Sequence, residues 1–372
     1  MTKPRPFLCF FPYLPLGRVE SLGEWLLGPV SEFDSKWCDE GFKRQALAFF
    51  GHFRDAVGRP IENPTLVARK TSGVDGTRPS DAEIKALQSA VQLAALDRNP
   101  RFTPDSHAWN VVTADECEFF VWPINLVDGY VTTTRGSMMR ESVTGGWRIS
   151  DDRLVIGAPL EIEVLSPVVL ERDLLEAAFK LLHPEGPADA AHLRAAAVWQ
   201  TKAWRNTPSI RPEDRVVFLK TGFEALVGES KSRESARLLR ELFDQLKEEH
   251  VSADELLWSP GEKQDREWRW TDKSGREHVE PMSDTEHWFM AFSAARNRII
   301  HEGQRPTLVY NEPGSAYNGH FVWTGEWLLR AAIKVEMARF GFPDLWRPGV
   351  SGAAYRAVKK AIQEAPSEAG AQ

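Results

Sequence analysis

The run Arg296-Asn297-Arg298-Ile299-Ile300-His301, closed by Glu302-Gly303, gathers an arginine, an amide and a histidine at the end of an apolar, helix-patterned stretch, 288–295. Those residue types suit cleavage of a phosphodiester without a metal. Arginine neutralises phosphate charge through a planar fork of donors. Histidine, with an unperturbed pKa of about 6.5, can give or take a proton near neutrality. On an ideal helix Asn297 and His301 lie one turn apart on one face. Arg296 and His301 are about 140° apart and meet only through the arginine's long stem. Gly303 ends the helix just past the histidine, where exposed carbonyls attract a cation. Asn297 can orient the imidazole or hold a phosphate oxygen. Arg298 and Arg305 can line a groove for RNA, and each is equally at home as ordinary surface.

The elements that must position this run are helices. From Pro167 onward, apolar residues recur at helical spacing in six segments: 170–182, 190–205, 212–228, 232–250, 284–301 and 324–340. Pro184-Glu185-Gly186-Pro187 separates the first two, Gly228 stops the third, Ser230 or Ser232 can cap the fourth, and Ser283 or Asp284 the fifth. Amphipathic helices in this number must share a core, so residues 166–348 are expected to form an all-α bundle. Alternation around Asp272-Lys273-Ser274-Gly275 predicts a β-hairpin inserted near 262–282. Trp268 and Trp270 share one face of it with Arg269 close by. Such residues can stack bases and hold phosphates, although a tryptophan pair more often seals an insert against its own domain. Glu224 lies within an apolar stripe. Paired with Arg296 or Lys220 it could position the arginine, and a surface-facing carboxylate is the plainer reading.

On these residues a resemblance can be stated. Arg-Asn-x-x-x-His-Glu-Gly on the penultimate bundle helix resembles the Arg-x4–6-His motif of HEPN domains, above all the Apea-like branch. The helix carrying FLKTGFEALVG (218–228) and the closing stretch from Trp327-Leu328-Leu329-Arg330 to Arg339-Phe340-Gly341-Phe342-Pro343 are similar to that branch too. The likeness covers roughly the C-terminal half of the chain. It implies a metal-independent endoribonuclease without a cofactor, acting as a homodimer whose two motif helices face each other across a cleft. His301 would then do general acid and base work, Arg296 would stabilise the transition state, and Asn297 would orient. The products would be a 2′,3′-cyclic phosphate and a 5′-hydroxyl.

The first half, 1–165, reads as an α+β domain. Segments 7–16 and 19–33 have strand composition, 39–56 and 81–97 are amphipathic helices, and 118–126, 129–135, 146–150 and 154–156 are short strands. No phosphate loop, dinucleotide fingerprint or metal-ligand cluster is present in it, and the residues from 349 read as a frayed tail. With 42% hydrophobic and 27% charged residues among 372, the chain can build two folded cores. The three scattered cysteines suit a reducing cytoplasm, and the absence of a long apolar run gives no expectation of a membrane span. A formal net charge of −7 excludes a general nucleic-acid coat, so an RNA site must be a local basic groove.

The expectation is therefore a regulated cytoplasmic ribonuclease, as in toxins or anti-phage defence effectors. Its N-terminal domain would sense a phage product or a nucleotide, or would select the RNA. The rivals are an inert HEPN scaffold that binds a partner protein or nucleotide, and a hydrolase or transferase seated in the first half.

Overall fold

In a computed structural model of the chain, the residues described are 7–38, 40–51, 53–54, 60–61, 63–71, 79–98, 114–127, 130–133, 148–150, 153–155, 168–205, 209–244, 266–272, 274–303, 320–342 and 345. An N-terminal region of antiparallel sheet and helices precedes a mostly helical C-terminal part.

The first unit opens with β1 (Phe7–Phe11), β2 (Glu20–Leu22) and β3 (Trp25–Pro29), followed by α1 (Glu40–Phe50), β4 (Phe53–Arg54), β5 (Thr65–Arg69) and α2 (Asp81–Arg98). Then come β6 (Phe120–Val127), β7 (Tyr130–Thr133), β8 (Arg148–Ser150), β9 (Arg153–Val155) and α3 (Arg172–Leu182). Six strands form one antiparallel sheet in the order β2-β3-β5-β1-β6-β7, while β4, β9 and β8 form a smaller one. The segment 19–33, expected as one strand, is a hairpin: Leu22 faces Trp25 across a two-residue turn at Gly23-Glu24. Alternation along β1 sends Leu8 and Phe10 into a core with Phe42, Ala46 and Phe50 of α1. The opposite face of the strand buries Phe11 against Phe119, with ring centroids 4.9 Å apart.

The two units divide at residues 185/186, not at the expected 165/166. Helix α3 is the reason. Its apolar stripe, Leu174, Leu175, Ala178, Leu181 and Leu182, is buried, and the helix packs on α2 of the first unit. Val168, just before it, donates its N–H to the Pro15 carbonyl at 2.7 Å. Periodicity marks such a helix as amphipathic without saying which core its stripe will enter.

The second unit holds α4 (Ala191–Ala203), α5 (Pro212–Val227), α6 (Ser232–Phe243), the hairpin β10 (Arg266–Thr271) and β11 (Glu277–Met282), α7 (Asp284–Glu302) and α8 (His320–Ala338). Among the described residues, α5 packs against all four other helices, and α8 packs against α4, α5 and α6. The fourth helix begins at Ser232 with Lys231, not a serine, at its N-cap, and residues 245–250 of the expected segment lie outside the described residues. Helix α7 has the expected serine cap: Ser283 accepts from the Glu286 N–H while Glu286 reaches back to the Ser283 N–H at 2.9 Å. The expected tail likewise lies outside the described residues. No described helix is long and apolar enough to cross a membrane.

Gly222 allows the close approach of α5 to α8. A Cβ placed there would lie 2.5 Å from Leu329 Cδ2 and 3.3 Å from Trp199 Cβ, and Leu329 is fully buried. Gly222→Val is therefore expected to lower unfolding free energy by about 1–3 kcal/mol through overpacking, despite valine's slightly better helix propensity. Denaturant midpoints test this, and an unchanged midpoint would show that the α5–α8 contact is loose.

Candidate functional site

The orientation of α7 follows from its aromatic residues. Trp288, Phe289, Phe292 and Ala295 are buried on one side. Phe289 meets Phe223 of α5 edge-on at 5.4 Å, Trp288 stacks on Phe292 at 5.0 Å, and Phe292 lies 5.8 Å from Phe321 of α8. With that stripe inward, helical geometry turns Asn297 and His301 outward; both are exposed, as is Ile300 near the end of the helix. Arg296 falls at the rim and is half-buried. Gly303 closes the helix in the left-handed conformation, φ 62°, which only glycine adopts freely.

Arg296 Nη1 donates to the Asn297 side-chain oxygen at 3.1 Å. The amide thus engages the arginine. Arg296 Nε is buried and has no hydrogen-bond partner among the described residues. Those residues also offer Arg296 and Arg298 no carboxylate, and His301 no hydrogen bond. Most other arginines of this unit are paired: Arg211 with Asp214, Arg240 with Glu286, Arg266 with Asp284, and Arg339 with Glu336. Arg305 lies outside the described residues.

Glu224 pairs with Lys220, one turn earlier on α5, at 2.8 Å. Lys220 is 1% exposed, and its amine lies 4.9 Å from the centre of the Phe289 ring on α7. Burial pushes the Lys220 amine below the ordinary lysine range. Glu224 pulls it back up, and the charge of Arg296 pushes it down again. Of the two partners expected for Glu224, Lys220 is the one it pairs with, and the i, i+4 spacing of Lys220 and Glu224 on one helix was the signal for that pair.

The hairpin places its candidates differently from expectation. Trp268 is 3% exposed and lies edge-on to His287 at 5.4 Å, so it seals the hairpin on α7 and cannot stack a base. Trp270 is half-buried, stacked on His278 at 5.0 Å with the Arg233 guanidinium 5.9 Å from its ring. Arg269 points to the opposite, exposed face and pairs with Glu267 at 2.8 Å. Strand alternation thus separates Arg269 from both tryptophans, and the three form no common surface.

Elsewhere in this unit, Glu336 accepts from His192 Nε2 and Arg339 Nη1, each at 3.0 Å, beside a cavity of about 330 Å³. His192 is 144 residues from Glu336 in sequence, and no local pattern announces that pair. Among the described residues, no three His, Cys, Asp or Glu side chains converge as metal ligands. Cys9, Cys38 and Cys117 are buried free thiols.

No protein-family model matches the chain, and no curated protein and no solved structure is significantly similar to it.

His287 generates a prediction about the seal. It is fully buried, neither ring nitrogen has a hydrogen-bond partner among the described residues, and burial with the charge of Arg266 lowers its pKa to about 4. The neighbouring acids are engaged: Asp284 by Arg266 and Glu286 by Arg240. A base with a depressed folded pKa stabilises the fold above its unfolded value of about 6.5 and loses that contribution as pH falls, on the order of 3 kcal/mol by pH 4. Thermal unfolding should therefore show a smaller loss of Tm between pH 7 and pH 4.5 for His287→Phe than for wild type. Equal losses would show that His287 is not a buried neutral group.

Proposed function

We propose that this chain is an endoribonuclease that cleaves RNA through attack of the neighbouring 2′-hydroxyl. The observation that carries the reading is Arg296: a half-buried arginine without a carboxylate partner among the described residues, five residues before an exposed histidine on the same helix, in a protein of net charge −7. An anion of low charge is the fitting occupant, and a phosphodiester carries one negative charge. The resemblance of Arg296-Asn297-x-x-x-His301 to the HEPN motif points the same way, and with it comes the reading of α4–α8 as a HEPN-like bundle that needs no metal or cofactor.

In this reading one imidazole takes the proton from the 2′-hydroxyl. The 2′-oxygen bonds to phosphorus, the bond from phosphorus to the 5′-oxygen breaks, and a second imidazolium protonates the leaving oxygen. Arg296 holds the charge that builds on the equatorial oxygens. A single chain supplies one His301, so the full reaction calls for two copies with their α7 helices facing, and the exposed Asn297, Ile300 and His301 would lie at that interface. A role as a toxin or anti-phage effector, triggered through the first unit by a phage product or nucleotide, extends the reading by family analogy.

His301→Ala and Arg296→Ala are each expected to reduce cleavage of a labelled RNA by about a hundredfold or more. Wild-type fragments should carry 2′,3′-cyclic phosphate and 5′-hydroxyl ends. Expression in bacteria with and without phage challenge should cause RNA fragmentation and growth arrest in wild type alone. Intact RNA throughout, with a phenotype that survives both substitutions, would favour an inert scaffold.

A further inference from the structure

The pairing of α4 with α5 leaves an outer face on which aromatic rings meet unmatched cations. Trp199 of α4 and Phe218 of α5 approach with ring centroids 5.8 Å apart, and the Lys202 ammonium lies 4.0 Å from the centre of the Trp199 ring. Lys202 stands one turn after Trp199 on α4, and Arg215 one turn before Phe218 on α5. Arg215 Nη2 donates to the Arg205 carbonyl at 2.8 Å, just past the end of α4. The two helices therefore run antiparallel, and both cations lie toward the same end of the ring pair. Lys202 is exposed, Arg215 is half-buried, and neither has a carboxylate partner among the described residues. The reason is compositional. Helix α4 contains no acid, and on α5 Asp214 is held by Arg211 and Glu224 by Lys220, while Glu213 is buried. Trp199 and Phe218 are themselves half-buried and Val198 is 50% exposed, so water reaches this face.

We propose that this α4–α5 face is a second contact for the RNA substrate, holding a single strand by base stacking on Trp199 and phosphate pairing with Lys202 and Arg215. This rests on the nuclease reading given above. In a chain of net charge −7, an RNA site has to be a local basic surface, and here two cations without carboxylates stand beside two aromatic rings. Every base has a face that stacks on an aromatic ring, whereas a duplex keeps those faces covered. An acidic protein would match the cations and leave the rings unused. Lys202 has a flexible stem, so a base that settles on Trp199 displaces its ammonium toward the adjoining phosphate. The face is separate from Arg296. Phe218 lies about 140° around α5 from Phe223, which packs on α7, so RNA held here is strand beyond the reacting phosphate.

Binding of a fluorescent, single-stranded 2′-O-methyl oligoribonucleotide of about 20 residues, which cannot be cut, tests this role. Lys202→Gln should weaken binding by about threefold and make the plot of log affinity against log salt shallower by about one. Trp199→Leu should weaken binding by about tenfold with the slope unchanged, since stacking releases no counterion, and Trp199→Phe should stay within about threefold of wild type. For a cleavable RNA of the same length, Lys202→Gln and Trp199→Leu should raise KM and leave kcat unchanged. A cleavable dinucleotide, which has only the reacting phosphate, should be cut alike by wild type and both variants. Lys202 is exposed, so its variant decides the matter even if Trp199→Leu does not fold. Wild-type affinity and slope in Lys202→Gln would overturn the role, as would equal affinity of wild type for the single strand and its duplex. Polyglutamate binding as tightly as the RNA would also overturn it and assign the face to an acidic protein. Wild-type cleavage by both Arg296→Ala and His301→Ala would remove the nuclease reading itself. Loss of cleavage in those two, beside unaltered RNA binding by Lys202→Gln, would remove only the role given to the α4–α5 face.

Discussion

The aromatic seam that fixes α7 is the constraint on which the site depends. Trp288, Phe289 and Phe292 leave water by packing against Phe223 of α5 and Phe321 of α8. Burying three such rings is worth several kcal/mol in apolar area alone, at about 25 cal/mol per Å². Rotating α7 by even one residue, about 100°, would expose part of that stripe. The rotation that buries it sends Asn297 and His301 outward and leaves Arg296 at the rim. Packing sets where the polar groups point, and the polar groups contribute little to that choice.

Electrostatics then acts within the frame that packing provides. The chain carries an excess of acid, and several described arginines in the second unit, Arg211, Arg240, Arg266 and Arg339 among them, are matched with carboxylates. Against that background a half-buried arginine bonded only to an amide is a local positive spot. Low net charge elsewhere is no obstacle to RNA binding here, because the relevant field is that of a few groups within one Debye length, about 8 Å at physiological salt.

Helix periodicity made the second unit legible in sequence, since α4 to α8 each display an apolar stripe and most have a proline, glycine or serine at an end. The Ser283 cap and the Gly303 stop of α7 were readable for the same reason. What periodicity does not carry is the identity of the surface that covers a stripe. Periodicity thus leaves open which core α3 enters, whereas the usual burial of tryptophan already favoured a seal for Trp268. The hairpin of β2 and β3 was hidden in a segment of strand composition, where the turn at Gly23-Glu24 is only two residues long. Among the site residues, Arg296, Asn297 and His301 were legible as a cluster of chemically capable types at a helix end, where the same types also serve as ordinary caps. The contact of His192 with Glu336 is tertiary and could not be inferred from either helix separately.

The central claim is that Arg296 is an open cation that meets an RNA phosphate. Its most direct test is the salt dependence of binding of a 2′-O-methyl oligoribonucleotide to wild type and to Arg296→Gln. If Arg296 neutralises a phosphate, the plot of log affinity against log salt should be shallower for the variant by about one, through the loss of one released counterion. Parallel lines of equal slope would place the phosphate elsewhere and contradict the account.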